Sequence, residues 1–268
     1  MLASQEGYLE IVQLLVEVGA NVNIVRQGNA LMSAASNGHK ETFDYLYPLT
    51  NPKFHIEALE ILSNGIRMRE FQEQASPNTI ALIDALLERR YDDFQTILAT
   101  GIDVNSLDEE GCTAIFVAVL MDSREAVHTL LEAGANPDLG NMMDGRTPLM
   151  ILTHRSNESL EICNLLLQYG ASIDATDQNG ITPLIHAILP LEDNNQRKSV
   201  KHNIISIILE NRANVNHKDF KDHKNALMHL ISEPPRNDIE ALDKQEVYEM
   251  LVIAGSNSGS GTKFHPHG

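Results

Sequence analysis

Five times along this 268-residue chain an apolar run closes on a glycine or its substitute and then on a pair of short polar residues. The copies read LLVEVGANVN (14–23), ILATGIDVN (97–105), LLEAGANPD (130–138), LLLQYGASID (165–174) and ILENRANVN (208–216). No other feature limits the fold as much. A helix-like phrase that returns at a regular interval describes stacked units, because one such unit cannot bury its own apolar face. The closing residues are Gly19, Gly101, Gly134, Gly170, Arg212 and Gly255, spaced 82, 33, 36, 42 and 43 residues apart. A base period near 33 with insertions follows. The gap of 82 holds at least one weaker unit, GNALMSAASNGHKETFDYLY at 28–47.

Each unit keeps one internal order. A polar turn with glycine comes first: DEEGCTAIF (108–116), MMDGRTPLM (142–150) and DQNGITPLI (177–185). Its glycine suits a tight turn, which calls for a positive φ. Thr147-Pro148-Leu149 and Thr182-Pro183-Leu184 then open a helix. Threonine caps free N–H groups there, proline fits the first helical position, and leucine points inward. Small residues (Ala34, Ala35, Ala118, Ala187) let neighbouring helices approach. A second helix carries an apolar stripe, as in Ile11, Val12, Leu14 and Leu15, or Val127, Leu130 and Leu131. The closing glycine ends it in the left-handed conformation.

The G-x-T-P-L stretch, the alanines and the G-A-N-V-N ending resemble the ankyrin repeat family, with the strongest matches at 106–189. The resemblance implies an all-α solenoid of about seven stacked helical hairpins joined by short turns, some degenerate or with insertions. It would occupy 1–258, with a partial repeat at 1–23 and repeats at 24–51, 78–105, 106–136, 140–174, 175–216 and 217–258. A flexible tail, 259–268, follows. One departure is clear: where the family places histidine directly after T-P-L, this chain has Met150 and Ile185, with Met32 and Phe116 at the matching points of two other units.

The pattern breaks in places. Ala3, Gly7 and Leu9-Glu10-Ile11 match the middle of a unit, so the chain opens inside a first helix; a longer protein and a shortened cap both fit. In 52–77 the register is lost. HIEALEILSNGIRMREFQEQA (55–75) has helical spacing, but Gly65 is expected to interrupt it, and an irregular helical insertion or a degenerate repeat fits equally. The polar, proline-bearing stretches 190–199 and 233–244 read as loops at hairpin tops. GSNSGSGTKFHPHG (255–268) reads as a stub of a further unit or an appended remnant.

Composition narrows the function classes. Hydrophobic content of 43% with 21% charged residues suits a folded chain. The longest apolar run, Ala114 to Met121, is far too short for a membrane span. Nothing in MLASQEGYLE resembles a secretory signal. Two cysteines make no disulfide framework and suggest a reducing, cytoplasmic setting. A net charge of −17 argues against nucleic-acid and anionic-membrane partners and favours a protein partner with a basic patch.

No catalytic or cofactor motif stands out. GSNSGSGTK ends in Thr262-Lys263 rather than Lys-Ser/Thr and follows no strand, so it is not read as a phosphate loop. His217, Asp219, Asp222 and His223 in HKDFKDHK offer metal donors, but the stretch stands where other units carry DEEG and DQNG and reads as a turn. His186 and His229 fall at matching helix positions and read as packed residues. Cys163 is expected in the core and Cys112 on an exposed turn. No metal or cofactor is expected.

The family resemblance instead implies a non-catalytic protein-interaction module, monomeric, binding through its turn tips and the groove lined by its first helices. The tips are Glu109, Glu110 and Cys112; Met142, Met143 and Arg146; Gln178, Asn179 and Ile181. The groove positions are Leu87 and Glu88, Leu120 and Met121, His154 and Arg155, Leu189 and Pro190. Leu120, Met121, Met142 and Met143 are apolar where solvent favours polar residues and form the candidate contact patch. Two other readings stay open: a targeting segment of a larger effector or signalling enzyme, and an enzyme or metal site built on inter-repeat loops.

Overall fold

The computed structural model describes residues 1–24, 29–152, 158–189, 198–232 and 238–258, apart from the side chains of 198–199, 238–240 and 256–258. Among the described residues every regular element is helical, as the resemblance implied, and none is a strand. The chain divides into two compact units, one of residues 1–80 with 107–111 and one of 81–106 with 112–268.

The first unit holds α1 (Leu2–Gln5), α2 (Leu9–Glu17), α3 (Ala30–Ser36), α4 (Lys40–Leu46) and α5 (His55–Gln74), with 3₁₀ turns at Tyr47–Leu49 and Pro52–Phe54. α3 sits at its centre, against α1, α4 and α5. Leu31, Ala34, Ala35, Phe43 and Leu46 form the core with Ala58 and Leu62 of α5. α2 buries only Val12 of its expected stripe. Ile11, Leu14 and Leu15 stay exposed, although α2 packs against α1 and α4.

α5 corrects the sequence reading. Gly65 does not interrupt the helix; it lies in its middle, fully buried. Ala58, Leu62 and Gly65 recur at the spacing of one helix face and carry the contact with α3. A Cβ on Gly65 would stand 2.1 Å from the Ala35 carbonyl oxygen and 2.7 Å from the Gly38 nitrogen. The glycine is there because two backbones touch.

α6 (Pro77–Leu87) begins in the first unit and ends in the second. The second unit continues with α7 (Tyr91–Ala99), α8 (Ala114–Leu120), α9 (Arg124–Glu132), α10 (Pro148–Ile151), α11 (Glu158–Gln168), α12 (Pro183–Ile188), α13 (Lys198–Glu210), α14 (Ala226–Ile231) and α15 (Asp238–Ser258). The first helices α8, α10, α12 and α14 pack in sequence, and so do the second helices α9, α11, α13 and α15. Two helical layers result. Leu130, Ile162, Leu166, Leu184, Ile204 and Ile208 lie in the core at 1% exposure or less, each burial worth about 1.5–3 kcal/mol. Ala118 and Ala187, both fully buried, keep the layers close.

Helix starts follow the expected chemistry except at Thr147, whose hydroxyl makes no capping bond; there the Met150 N–H donates to the Thr147 carbonyl at 3.0 Å instead. Thr113 Oγ1 accepts the Phe116 N–H and Thr182 Oγ1 the Ile185 N–H, while Asn29 and Asn225 do the same for Met32 and Met228. At the C-terminal end two expectations fail. Residues 238–244 are the first turns of α15 rather than loop, and Gly255 lies inside that helix instead of closing it. Gly19, Gly101, Gly134 and Gly170 do take positive φ, and Arg212 takes φ 64° in their place. Residues 190–197 and 233–237 of the two expected loops, and the expected tail at 259–268, lie outside the described residues, and 198–199 already belong to α13.

The recurring phrase has a hydrogen-bond cause. Its first Asx side chain turns onto the N–H two residues on: Asn21 to Asn23, Asp103 to Asn105, Asn136 to Asp138, Asn214 to Asn216. Its last Asx reaches into the next repeat. Asn23 Oδ1 accepts the Asn51 N–H at 2.7 Å, Asn105 Oδ1 the Asn136 N–H at 2.7 Å, Asp138 Oδ1 the Ser172 N–H at 2.8 Å, and Asp174 Oδ1 the Asn214 N–H at 2.8 Å. Side chains thus replace the missing backbone ladder between consecutive repeats, a job only a short side-chain acceptor does.

Candidate protein-binding surface

The turns that precede the first helices are built on buried aspartates. Asp108, Asp177 and Asp219 are 5%, 6% and 3% exposed. Asp108 Oδ1 accepts the Glu110 N–H, Asp177 Oδ1 those of Asn179 and Ile181, and Asp219 the N–H groups of Asp222 and Lys224. In the last two turns the second carboxylate oxygen meets a histidine of the following helix, His186 Nε2 at 3.0 Å and His229 Nε2 at 2.8 Å. The two histidines that the sequence placed at matching positions are therefore packed braces. Burial holds His186 below the usual imidazole range, against the pull of Asp177. For Asp219, burial pushes the pKa up, but the Asp222 N–H, His229 and the Lys224 N–H outweigh it and bring the carboxyl down to about 2.

Of the HKDFKDHK donors, Asp219 accepts the three hydrogen bonds just described, and His217 Nε2 lies 2.9 Å from the Gly180 carbonyl. Among the described residues no group of three His, Cys, Asp or Glu side chains is placed to hold a metal ion. Cys163 is in the core as expected, its thiol pushed up to about 12 by burial. Cys112 is not exposed: it is 8% accessible, and Asn141 Nδ2 donates to its Sγ.

In the second unit the tips are joined to one another. The Gln178 N–H donates to the Asp144 carbonyl at 3.0 Å, Gln178 Nε2 to the Met142 carbonyl at 3.4 Å, and the Phe220 N–H to the Asn179 carbonyl at 2.8 Å. Three consecutive turns therefore form one edge. Met142 projects from it at 44% exposure and Phe220 at 61%, with Gln178 and Asn179 exposed between them. Met143 is half-buried, its N–H donating to Asn141 Oδ1. Arg146 is exposed and its Nε reaches Asp144 Oδ2 at 2.7 Å.

Leu120 and Met121 stand elsewhere, at the far end of α8 from the turns. Leu120 is 41% exposed, and half-buried Met121 lines a cavity with residues of the hairpin ends. Glu109 and Glu110 are exposed on a turn of the first unit. His154, Arg155 and Pro190 lie outside the described residues. Sequence reasoning missed Phe220. Its signal was a lone aromatic within a charged turn; its ring covers Gly180, where a Cβ would stand 2.6 Å from the ring atoms.

Among the described residues no helix is long and apolar enough to cross a membrane. The chain matches the family profile described as "Ankyrin repeats (3 copies)" over residues 1–57 and 137–219, and the single-repeat profile over 110–142. It is similar to a glycerophosphocholine phosphodiesterase of Candida albicans, 30% identical over 190 residues that make up 70% of this chain and 16% of that protein. The glycerophosphocholine phosphodiesterase of Schizosaccharomyces pombe is 32% identical over 35% of the chain and 8% of its own length. The B-cell lymphoma 3 protein homolog of Mus musculus is 38% identical over 34% of the chain and 20% of its own length. The chain thus spans a fifth or less of each.

Proposed function

The chain belongs to the ankyrin-repeat family, and from that premise we propose that it is a non-catalytic module that binds a protein partner through its turn tips and the ends of its first helices. The carrying observation is the edge of three hydrogen-bonded turns that holds Met142 and Phe220 out in solvent at 44% and 61% exposure. Fixed apolar anchors on a rigid edge supply binding energy to a partner, while nearby polar groups set register. The acidic charge favours a partner with a basic face.

Affinity capture from cells that express the protein tests this. Wild-type bait should retain at least one protein that bait carrying Met142→Glu and Phe220→Glu loses, with unchanged circular dichroism. Equal retention of every captured protein by both baits refutes the assignment.

The phosphodiesterase relatives favour a second reading, in which the chain is the targeting segment of a larger enzyme, since it aligns with only 16% and 8% of those two proteins. On either reading the repeats themselves carry no chemistry. Incubation with glycerophosphocholine should release no choline, and release would place catalysis on this chain.

A further inference from the structure

Phe220 belongs to a turn whose chemistry differs from that of its counterparts. Two other repeats carry Asp108-Glu109-Glu110 and Asp177-Gln178-Asn179 where the last repeat carries Asp219-Phe220-Lys221. In all three the aspartate is buried and accepts a main-chain N–H of its own turn. The aspartate builds the turn, so the side chains of the next two residues are not what holds it. Here they are an aromatic ring and a cation, flanked by Lys218 and Lys224. We infer that this turn docks a short acidic segment of a protein partner, whose apolar side chain covers Phe220 and whose carboxylates pair with Lys218 and Lys221. This contact rests on the reading of the chain as a protein-binding module and gives that reading a place and a chemistry.

The charges on this turn are unequally placed. Of its two carboxylates, Asp219 is buried and accepts three hydrogen bonds, and Asp222 faces Lys224 at 3.8 Å. Lys218 and Lys221 are exposed, and among the described residues neither forms an ion pair. Two ammonium groups thus stand in solvent on a chain whose net charge is −17. Between them in sequence the Phe220 ring lies across Gly180, where a Cβ would stand 2.6 Å from the ring atoms, and it stays exposed. The Phe220 N–H donates to the Asn179 carbonyl at 2.8 Å, and His217 Nε2 lies 2.9 Å from the Gly180 carbonyl. These bonds fix the backbone that carries the ring and both lysines, so little ordering is needed on binding.

That combination selects the occupant. A small anion pairs with the lysines but leaves the ring in water. A purely apolar surface covers Phe220 but strands two ammonium groups. A segment with an apolar residue between carboxylates satisfies both, because its side chain covers the ring and the lysine stems pack alongside while their heads meet the carboxylates. The segment must be short. The acidic surface of this chain repels an extended acidic face, but at physiological salt the Debye length is about 8 Å, so the nearby lysines decide a local contact. The basic face favoured by the net charge governs approach, and the acidic segment engages at contact.

The test uses the whole ¹⁵N-labelled chain at physiological salt and a peptide probe, acetyl-Gly-Asp-Glu-Leu-Glu-Asp-Gly-amide. The Phe220 and Lys221 amide resonances should move saturably with a Kd on the order of 1 mM, as suits one small contact. The same peptide with asparagine and glutamine for its acids should bind at least about threefold more weakly, since it loses the ion pairs. A peptide with glycine for leucine should also bind at least about threefold more weakly, since it leaves the ring uncovered. Lys218→Gln with Lys221→Gln should weaken the acidic peptide at least about threefold; both side chains are exposed, so the fold should hold. The amides of α9 should stay still. Unmoved Phe220 and Lys221 amides, equal binding of the neutral or the leucine-free peptide, indifference to the two glutamine substitutions, or equal binding of pyrophosphate each overturns the assignment. If any of these occurs while the capture experiment still loses a partner, the acidic-segment contact fails and the protein-binding reading stands. Equal retention by both baits removes that reading and this contact with it.

Discussion

Gly65 and Gly255 set up a comparison in which one substitution should act with opposite signs. Both glycines lie inside helices, where alanine is favoured by roughly 0.5–1 kcal/mol. At Gly65 the added methyl would meet main-chain atoms of α3 and the turn after it, 2.1 Å from the Ala35 oxygen and 2.7 Å from the Gly38 nitrogen. Neither can rotate away, so α5 must draw back and loosen Ala58 and Leu62. Overpacking of this kind costs about 3 kcal/mol; after the propensity gain, Gly65→Ala should lose about 2 kcal/mol. At Gly255 the nearest atom is Val215 Cγ2 at 3.7 Å, an ordinary contact. Gly255→Ala should therefore gain about 0.5–1 kcal/mol. Thermal unfolding followed by circular dichroism should show a midpoint lowered by roughly 4–8 °C for the first and raised by a few degrees for the second. A Gly65→Ala protein as stable as wild type would refute the backbone contact between α3 and α5.

Two further outcomes follow from the turns and the inter-repeat bonds. Asn105→Ala removes the acceptor for the Asn136 N–H and a donor to the Gly134 carbonyl; it should cost about 1 kcal/mol and speed amide exchange at Asn136. Asp219, with its folded-state pKa near 2 against an ordinary 3.8, contributes stability that is present above about pH 4 and lost as the pH falls towards 2. Asp219→Asn should lower stability at neutral pH by about 1–2 kcal/mol and flatten the acid limb of a stability–pH curve, and an unchanged limb would contradict the bonding described.

What the sequence revealed follows from which physical signal each element carries. Capping threonines, turn glycines and the long apolar stripes of α9 and α11 announce hairpins, because each residue's role is local. The helical spacing of 55–75 was legible, but its continuity through Gly65 was not, because Gly65 and Ala58 are small residues that bring backbones together beside Leu62 and leave no long apolar stripe. Gly255 misled because a glycine reads the same in a helix as at its end. Cys112 was placed in solvent by its turn, but Asn141 from the next repeat covers it. At the candidate surface the exposed Met142, Gln178 and Asn179 were legible from their turn positions. Phe220 was not, since its exposure depends on the neighbouring Gly180 over which it lies. The cavity beside Met121 needed three hairpin ends brought together by stacking, which no single stretch encodes.

The most direct test of the central claim is site-specific photocrosslinking in cells. p-Benzoylphenylalanine would replace Met142 on the joined turns in one protein and Gln168 on the exposed side of α11 in another. A module that binds through its turn tips should give a discrete crosslinked partner from position 142 and none from 168. Crosslinking from 168 with none from 142 would put the partner on the second-helix layer and contradict the account.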